Sequence, residues 1–176
     1  MDYDITIYGD EILRKKAEPI KEITPEIKDL AADMLRIMYE AKGVGLAAEQ
    51  IGRTEAICVI DVPEDCQDPD DYEKNKAIEM PLVMINPEVS EPLGTSRGKE
   101  GCLSLPELYM DVTRAKSIAV EYTDLNGERK KVRAYGFLAR AVQHETDHLK
   151  GILFCDHFSP AQKLLVANKL KRMRRS

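Results

Sequence analysis

A five-residue pattern constrains this chain most: His144-Glu145-Thr146-Asp147-His148 lies inside a segment whose apolar residues follow helical spacing. Histidines four apart share one face of a helix, stacked one turn over the next, so both imidazoles can bind one metal ion. Glu145 lies on the adjoining arc, where it can exchange a proton with water at that ion without being a ligand. The chain has only three histidines and this pattern uses two of them. We therefore expect a metal-binding helix over about 136–150, ended by Gly151.

A third ligand is needed for a catalytic site, together with an open position for water. His157 follows nine residues after His148, but the longer zinc-peptidase pattern that ends in a third histidine is not matched. Cys102 is the other candidate, because Gly101 allows a close backbone approach and a thiolate with two imidazoles suits zinc or iron(II). Spacing alone leaves open that Cys102 is an inert buried cysteine.

Composition limits the class of protein. The chain has 176 residues, of which 43% are hydrophobic and 32% charged, which fits one domain over 1–176 and excludes wholesale disorder. Its four cysteines contain no C-x-x-C pair, which argues against a zinc ribbon or a thioredoxin-like site. The chain shows neither a long apolar run nor an N-terminal signal pattern, so we expect a cytoplasmic protein without a membrane partner.

Charge is distributed unevenly along the chain. Residues 61–79 hold eight acidic side chains and two lysines, whereas residues 160–176 hold six lysines and arginines and no acid. Two prolines and little periodicity predict an acidic surface loop over 63–79. Ser159-Pro160 predicts the start of a C-terminal helix over 159–176 with apolar positions Leu164, Leu165, Val166 and Leu170 and a basic end. That end is either a solvated face or a contact for nucleic-acid phosphates.

The remaining pattern predicts the fold class. Thr24-Pro25 begins an amphipathic helix that closes near Gly43. Residues 56–62 and 81–89 favour strands, and residues 117–123 and 128–135 flank a turn and favour a hairpin. We predict an α+β fold: a mostly antiparallel sheet packed around the central H-E-x-x-H helix, with an additional helix near the N-terminus and a C-terminal helix.

A stretch of small residues, 43–52, follows the first helix. It has two early glycines, but no G-K-[ST] follows and no strand precedes it, so a phosphate-binding loop is poorly supported. Such a loop can instead bring an extended substrate close to the backbone, with Gln50 as an amide donor.

Three segments together resemble the peptide deformylase family: GVGLAAEQ (43–50), EGCLS (100–104) and QHETDHLKG (143–151), in that order. The start, IYGDEILRKKAEPI, is similar as well, and the resemblance covers about residues 5–158. It implies removal of the N-formyl group from the formyl-methionine of nascent polypeptides, with release of formate. It also implies one divalent ion per chain, iron(II) in the cell with zinc, nickel or cobalt as substitutes, bound by Cys102, His144 and His148 with water in the fourth position.

The resemblance implies roles for other residues. Glu145 would be general base and acid towards the attacking water, and Gln50 and the backbone N–H of Leu103 would stabilise the oxyanion. Glu100 and Arg114 would form an ion pair that fixes the metal-bearing segment. Four residues would line a pocket for the methionine side chain, although core packing would equally explain them: Val44, Gly45, Phe137 and Ala141.

One position departs from the family pattern. Tyr109 stands where some members carry an arginine that touches substrate, so this chain lacks that arginine's contact. The expected partners are N-formylmethionyl nascent peptides and, through the basic C-terminal helix, the ribosome; we expect a monomer and no DNA partner. Two other hypotheses stay open: a zinc endopeptidase, which leaves EGCLS unexplained, and a metal-stabilised, non-catalytic ribosome-binding module.

Overall fold

The structure, a computed structural model, describes residues 1–175. These residues form four α-helices, five strands and four short 3-10 helices. The helices are α1 (Pro25–Glu40), α2 (Pro69–Asn75), α3 (Gly136–His148) and α4 (Pro160–Arg175). The strands are β1 (Gly45–Ala47), β2 (Ile57–Ile60), β3 (Leu82–Cys102), β4 (Leu105–Thr123) and β5 (Arg129–Tyr135).

All five strands form one antiparallel sheet in the order β1-β2-β3-β4-β5. Helix α3 packs on this sheet through Leu138, Ala139 and Val142, which share an apolar cluster with β2, β3 and β4. Helix α1 packs through a second cluster that includes Met34 and Met38. The predicted α+β fold, with a mostly antiparallel sheet around the H-E-x-x-H helix, is confirmed.

Helix α1 begins and ends with the expected local chemistry. The Thr24 side chain accepts a hydrogen bond from the Ile27 N–H at 3.3 Å, and Pro25 occupies the first turn. After Ala41 the chain turns through Lys42, whose φ of 58° lies in the left-handed region. The left-handed residue that ends the helix is therefore Lys42, one residue before Gly43, the glycine from which the end was predicted.

Strands β3 and β4 are far longer than predicted. The sequence indicated 81–89 and 117–123, whereas the pair runs as a hairpin from Leu82 to Thr123 with register shifts near Ile85 and Ser90. The central part of β3, residues 91–95, is exposed throughout. It therefore lacks the alternation of buried and exposed residues that identifies a strand. This extension carries the end of β3 to Cys102, beneath α3.

The acidic stretch is not the loop predicted over 63–79. It contains a 3-10 turn, Glu64–Cys66, followed by α2. Asp68 caps α2 by accepting a hydrogen bond from the Asp70 N–H at 2.9 Å. Buried Asn75 donates to the Gln67 side chain and the Tyr135 carbonyl at 2.9 and 3.0 Å, and these tertiary contacts anchor the segment.

Helix α4 lies where it was predicted, with Ser159 accepting a hydrogen bond from the Gln162 N–H at 3.2 Å. Its apolar positions do not all pack inwards: Leu164 and Leu165 are 80% and 79% exposed, while Val166 is buried. The last predicted helix position, 176, lies outside the described residues. None of the helices within residues 1–175 is long and apolar enough to cross a membrane.

Candidate metal centre

The end of β3 and the middle of α3 bring three metal-binding side chains together. One ligand atom from each of Cys102, His144 and His148 lies within 4.8 Å of the other two. The Cys102 Sγ is 3.4 Å from His148 Nε2, and the two imidazole centroids are 5.1 Å apart. Cys102 is only partly buried, and the structure places it with the two histidines rather than in the fully buried core.

The donor set fits a divalent transition metal. The His144 Nδ1 lies 2.9 Å from Glu100 Oε1, which leaves the other ring nitrogen for a metal. Burial and the charge of His144 lower the pKa of His148, which favours the neutral imidazole that binds metals. Burial also opposes protonation of His144, but hydrogen bonds with Cys102 and Glu100 outweigh it and raise its pKa. Metal binding at this ring would therefore release a proton.

Glu100 anchors the centre through a fully paired carboxylate. Arg114 donates to it from Nε and Nη2 at 2.8 and 2.9 Å, and Arg140 Nη1 donates at 2.7 Å. Burial opposes ionisation of Glu100, but the Arg114 and His144 hydrogen bonds outweigh it and lower its pKa. The expected Glu100–Arg114 pair is present in the geometry. Arg140 was missed, although it lies four residues before His144 on the same helical face.

Arg114 also links the centre to the third histidine. Its Nη1 donates to Asp147 Oδ2 at 2.6 Å, and His157 Nε2 lies 2.8 Å from the same oxygen. No local pattern connects these residues, because His157 follows α3 in a 3-10 turn, Phe154–His157. The structure therefore places His157 beside the supporting network and outside the ligand set.

Glu145 is buried and its Oε2 has no hydrogen-bond partner among the described residues. Burial raises the pKa of this carboxyl to about 7. A Cβ atom added at Gly45 would lie 2.5 Å from Glu145 Oε1, so β1 needs a glycine at the point where it passes this side chain. An ionisable carboxyl beside the metal ligands, poised near neutrality, suits proton transfer.

Gln50 is fixed with its amide nitrogen towards Cys102. Its Oε1 accepts from the Ala47 N–H at 2.9 Å, and its Nε2 donates to Ser104 Oγ at 3.2 Å and lies 3.5 Å from Cys102 Sγ. Leu103 follows Cys102 in the turn between β3 and β4 and lines the same cleft. Both predicted oxyanion donors are thus next to the ligand set.

A cavity of about 420 Å³ opens beside the metal ligands. Its wall includes the four residues predicted to form the methionine pocket, Val44, Gly45, Phe137 and Ala141. Tyr109 stands at its edge, 66% exposed, with its ring packed against Gly101. The cavity is therefore continuous with the candidate centre and open to solvent on one side.

A second buried carboxyl, missed from the sequence, lies near the site. Glu49 is fully buried, and neither carboxylate oxygen has a hydrogen-bond partner among the described residues. Burial, with a smaller effect from the charge of Glu145, raises its pKa to about 8. No local pattern distinguishes this position, since a glutamate in a loop of small residues is usually solvated.

Comparisons with known proteins match most of this chain, in sequence and in fold. A family model described as polypeptide deformylase matches residues 2–164. A peptide deformylase from Endomicrobium trichonymphae is 46% identical over 169 residues, covering 96% of this chain and 94% of that protein. One from Nitrosococcus oceani is 40% identical over 172 residues, covering 98% and 96%. The crystal structure of peptide deformylase from Thermus thermophilus superposes with a TM-score of 0.84 at 39% identity, covering 99% and 98%.

Proposed function

The chain belongs to the peptide deformylase family, a group of metal-dependent hydrolases that remove the N-formyl group from nascent peptides, and we propose that its cation is held by Cys102, His144 and His148. It is accordingly an enzyme that acts on N-formylmethionyl peptides. The observation that carries the residue assignment is the convergence of three ligand atoms within 4.8 Å, next to the buried carboxyl of Glu145.

We propose iron(II) as the resident ion, with zinc, nickel or cobalt able to replace it. A thiolate and two imidazoles form a ligand set compatible with each of these metals. When bound, the cation would polarise the formyl oxygen and lower the pKa of the attacking water. The thiolate also makes the centre sensitive to oxidation. Metal analysis of anaerobically purified protein, paired with turnover, tests this assignment: zinc in fully active protein and no iron would contradict it.

Glu145 is the proposed proton-transfer group. It accepts a proton from the attacking water and returns it to the amine that leaves with the methionine. Burial raises its pKa to about 7, so this carboxyl takes up a proton more readily than an exposed glutamate does. Gly45 leaves room for this carboxyl against the β1 backbone, so its position is set by packing rather than by hydrogen bonds.

Gln50 and the backbone N–H of Leu103 are the proposed donors to the developing oxyanion. The Gln50 amide is already oriented by Ala47 and Ser104, so it needs no rearrangement during reaction. Val44, Gly45, Phe137 and Ala141 would hold the methionine side chain, while Glu100 and Arg114 would keep the ligand strand and α3 in register.

Formate release tests the function directly. The substrate is formyl-Met-Ala-Ser, assayed with and without a chelator, and we expect formate that the chelator abolishes and added metal restores. Internal cleavage of an unformylated peptide would instead support the zinc endopeptidase. Release of neither product, by protein that retains its metal, would support a binding module.

We also propose that the exposed face of α4 binds the ribosome. Lys171, Arg172 and Arg175 are exposed there and have no ion pair among residues 1–175. Positive charge attracts RNA phosphates. The triple variant K171E/R172E/R175E should lose salt-sensitive co-sedimentation with ribosomes while formate release from the tripeptide is unchanged. Equal sedimentation of the variant and the wild type would contradict this surface.

Every proposed ligand and catalytic group comes from one chain, so the proposal requires only a monomer. We propose that the enzyme acts in the cytoplasm, because its substrates are polypeptides still being synthesised.

A further inference from the structure

The outer part of the cleft carries charges that the chemistry at the metal centre does not use. Glu100, the acidic residue deeper in the cleft, is already hydrogen-bonded to Arg114, Arg140 and His144. At the solvent-exposed edge stand four other side chains of the cavity wall, here called the rim: Lys42, Lys99, Glu107 and Tyr109.

Two rim residues are held in backbone conformations that favour glycine. Lys42 has φ 58° and Glu107 has φ 60°. Lys42 is fixed at the end of α1 by hydrogen bonds from its own N–H to the Tyr39 carbonyl at 3.0 Å and from Gly43 to the Met38 carbonyl at 2.9 Å. Strained backbone conformations are frequent at functional sites. Here they fix the backbone positions from which two charged side chains extend.

The two rim lysines are free to bind a ligand. Neither takes part in an ion pair or side-chain hydrogen bond anywhere in the described residues 1–175. The acid that faces Lys99 across the hairpin, Asp111, is 3.7 Å from Arg97 instead.

Glu107, the one acidic residue of the rim, does not neutralise the positive charge there. Lys169 of α4 donates a hydrogen bond to the Glu107 carbonyl, which brings a third ammonium group to the same edge. Lys42, Lys99 and Lys169 thus stand against the single carboxylate of Glu107. The rim and the candidate metal ligands line the same cavity, so the rim lies next to the space that an extended peptide would occupy with its formylmethionine in the cavity.

We propose that Lys42 and Lys99 select nascent peptides with an acidic residue shortly after the formylmethionine. This inference rests on the proposed function, because it needs the formylated end to lie in the cavity. The ammonium groups attract a carboxylate on a substrate residue that takes no part in the reaction. Such contacts stabilise bound substrate and transition state alike, so the preference belongs mainly in KM.

The test compares two amidated peptides, formyl-Met-Ala-Asp-amide and formyl-Met-Ala-Asn-amide, which differ in one charge and carry no terminal carboxylate. At low ionic strength the wild type should show kcat/KM about twofold to tenfold higher for the Asp peptide, as expected for two exposed ion pairs. The ratio should approach one in K42Q/K99Q and in high salt. In K42E/K99E it should invert, with formyl-Met-Ala-Lys-amide as the better substrate.

Lys116 provides a matched control, since it is an exposed lysine of β4 outside the cavity wall. The K116Q variant should keep the wild-type ratio. A wild-type ratio near one, or the same ratio in wild type and K42Q/K99Q, overturns the proposal. Formate from neither peptide would contradict the proposed function instead, so the two failures are distinguishable.

Discussion

Two buried glutamates of this protein, Glu100 and Glu49, have opposite protonation behaviour. Their exposed fractions are 6% and 0%, so burial alone would disfavour the charge on both. Glu100 accepts hydrogen bonds from Arg114 and Arg140, and its pKa is lowered. Glu49 has no partner among the described residues, and burial raises its pKa to about 8. The partners, rather than the depth, decide whether a buried carboxyl is ionised.

Glu145 lies between these extremes. It is buried like Glu49 and its Oε2 is unpaired, but the positive charges of His144 and Arg114 partly offset the effect of burial on its pKa. A carboxyl for proton transfer needs this intermediate state, because a fully paired carboxylate would not take up a proton at neutral pH. The same residue type therefore serves as a structural anion, a neutral buried group and a proposed base.

The largest expected effect comes from removing the base. Glu145→Ala should lower kcat for formate release by about 10²- to 10⁴-fold, the usual contribution of a general acid–base group. Its metal content should stay at the wild-type level, because Glu145 is not among the three proposed ligands. Glu145→Gln, which keeps the volume, serves as the matched variant. Normal turnover in either variant would refute the assignment.

Replacing the paired carboxylate of Glu100 should have the next largest effect, on stability and on metal binding. Glu100→Gln leaves the buried guanidinium group of Arg140 without its counter-charge and removes one of the two carboxylates paired with Arg114, which keeps Asp147. We expect a loss of about 3–5 kcal/mol in the free energy of unfolding, together with about 10- to 100-fold weaker metal binding. Denaturant unfolding of the metal-free protein and metal titration measure the two effects.

The pH dependence of this variant gives a check on sign. The pKa of Glu100 is lower in the folded state, so its stabilisation is present above the unfolded value of 4.5 and is lost as the pH falls below it. The difference in the free energy of unfolding between the wild type and Glu100→Gln should therefore become smaller as the pH falls. A difference that becomes larger towards low pH would show that the carboxylate is not the stabilising form.

For Glu49→Gln, the stability relative to the wild type should depend on pH in the opposite direction to that of Glu100→Gln. A folded-state pKa of about 8 means that the contribution of Glu49 is fully present below 4.5 and is lost as the pH rises through about 8. Relative to the wild type, the variant should therefore gain stability with pH, by about 3 kcal/mol between about pH 5 and pH 8. Unfolding curves across that range test it, and a pH-independent difference would remove Glu49 from the comparison.

An exposed carboxylate completes the series with the smallest effect. Glu91 forms an ion pair with Lys131 at 3.0 Å, and the Lys131 hydrogen bond lowers its pKa, but both side chains are more than half exposed. Because solvent screens such a pair, Glu91→Gln should leave the melting temperature unchanged within error. A loss comparable to that of Glu100→Gln would contradict the conclusion that burial makes the partners matter.

Local elements could be predicted well from particular residues. Thr24-Pro25 and Ser159-Pro160 mark the starts of α1 and α4, because capping depends on a few adjacent residues. The extent of β3 and β4 and the helix α2 could not, because they depend on pairing and packing with distant segments. Asn75, for example, is buried by its contacts with Tyr135, sixty residues away in the chain.

The sequence by itself determined that His144 and His148 share one face of α3, because helical geometry places residues four apart on one face whatever surrounds them. The same pattern placed Glu145 beside that pair, and the family resemblance gave Cys102 and Gln50, already candidates, their expected roles. Only the tertiary structure decided that Arg140 completes the pairing of Glu100, that Glu49 is buried without a partner among the described residues and that Lys42 and Lys99 share a rim. Burial and charge pairing arise between segments far apart in the chain, so local spacing carries no information about them.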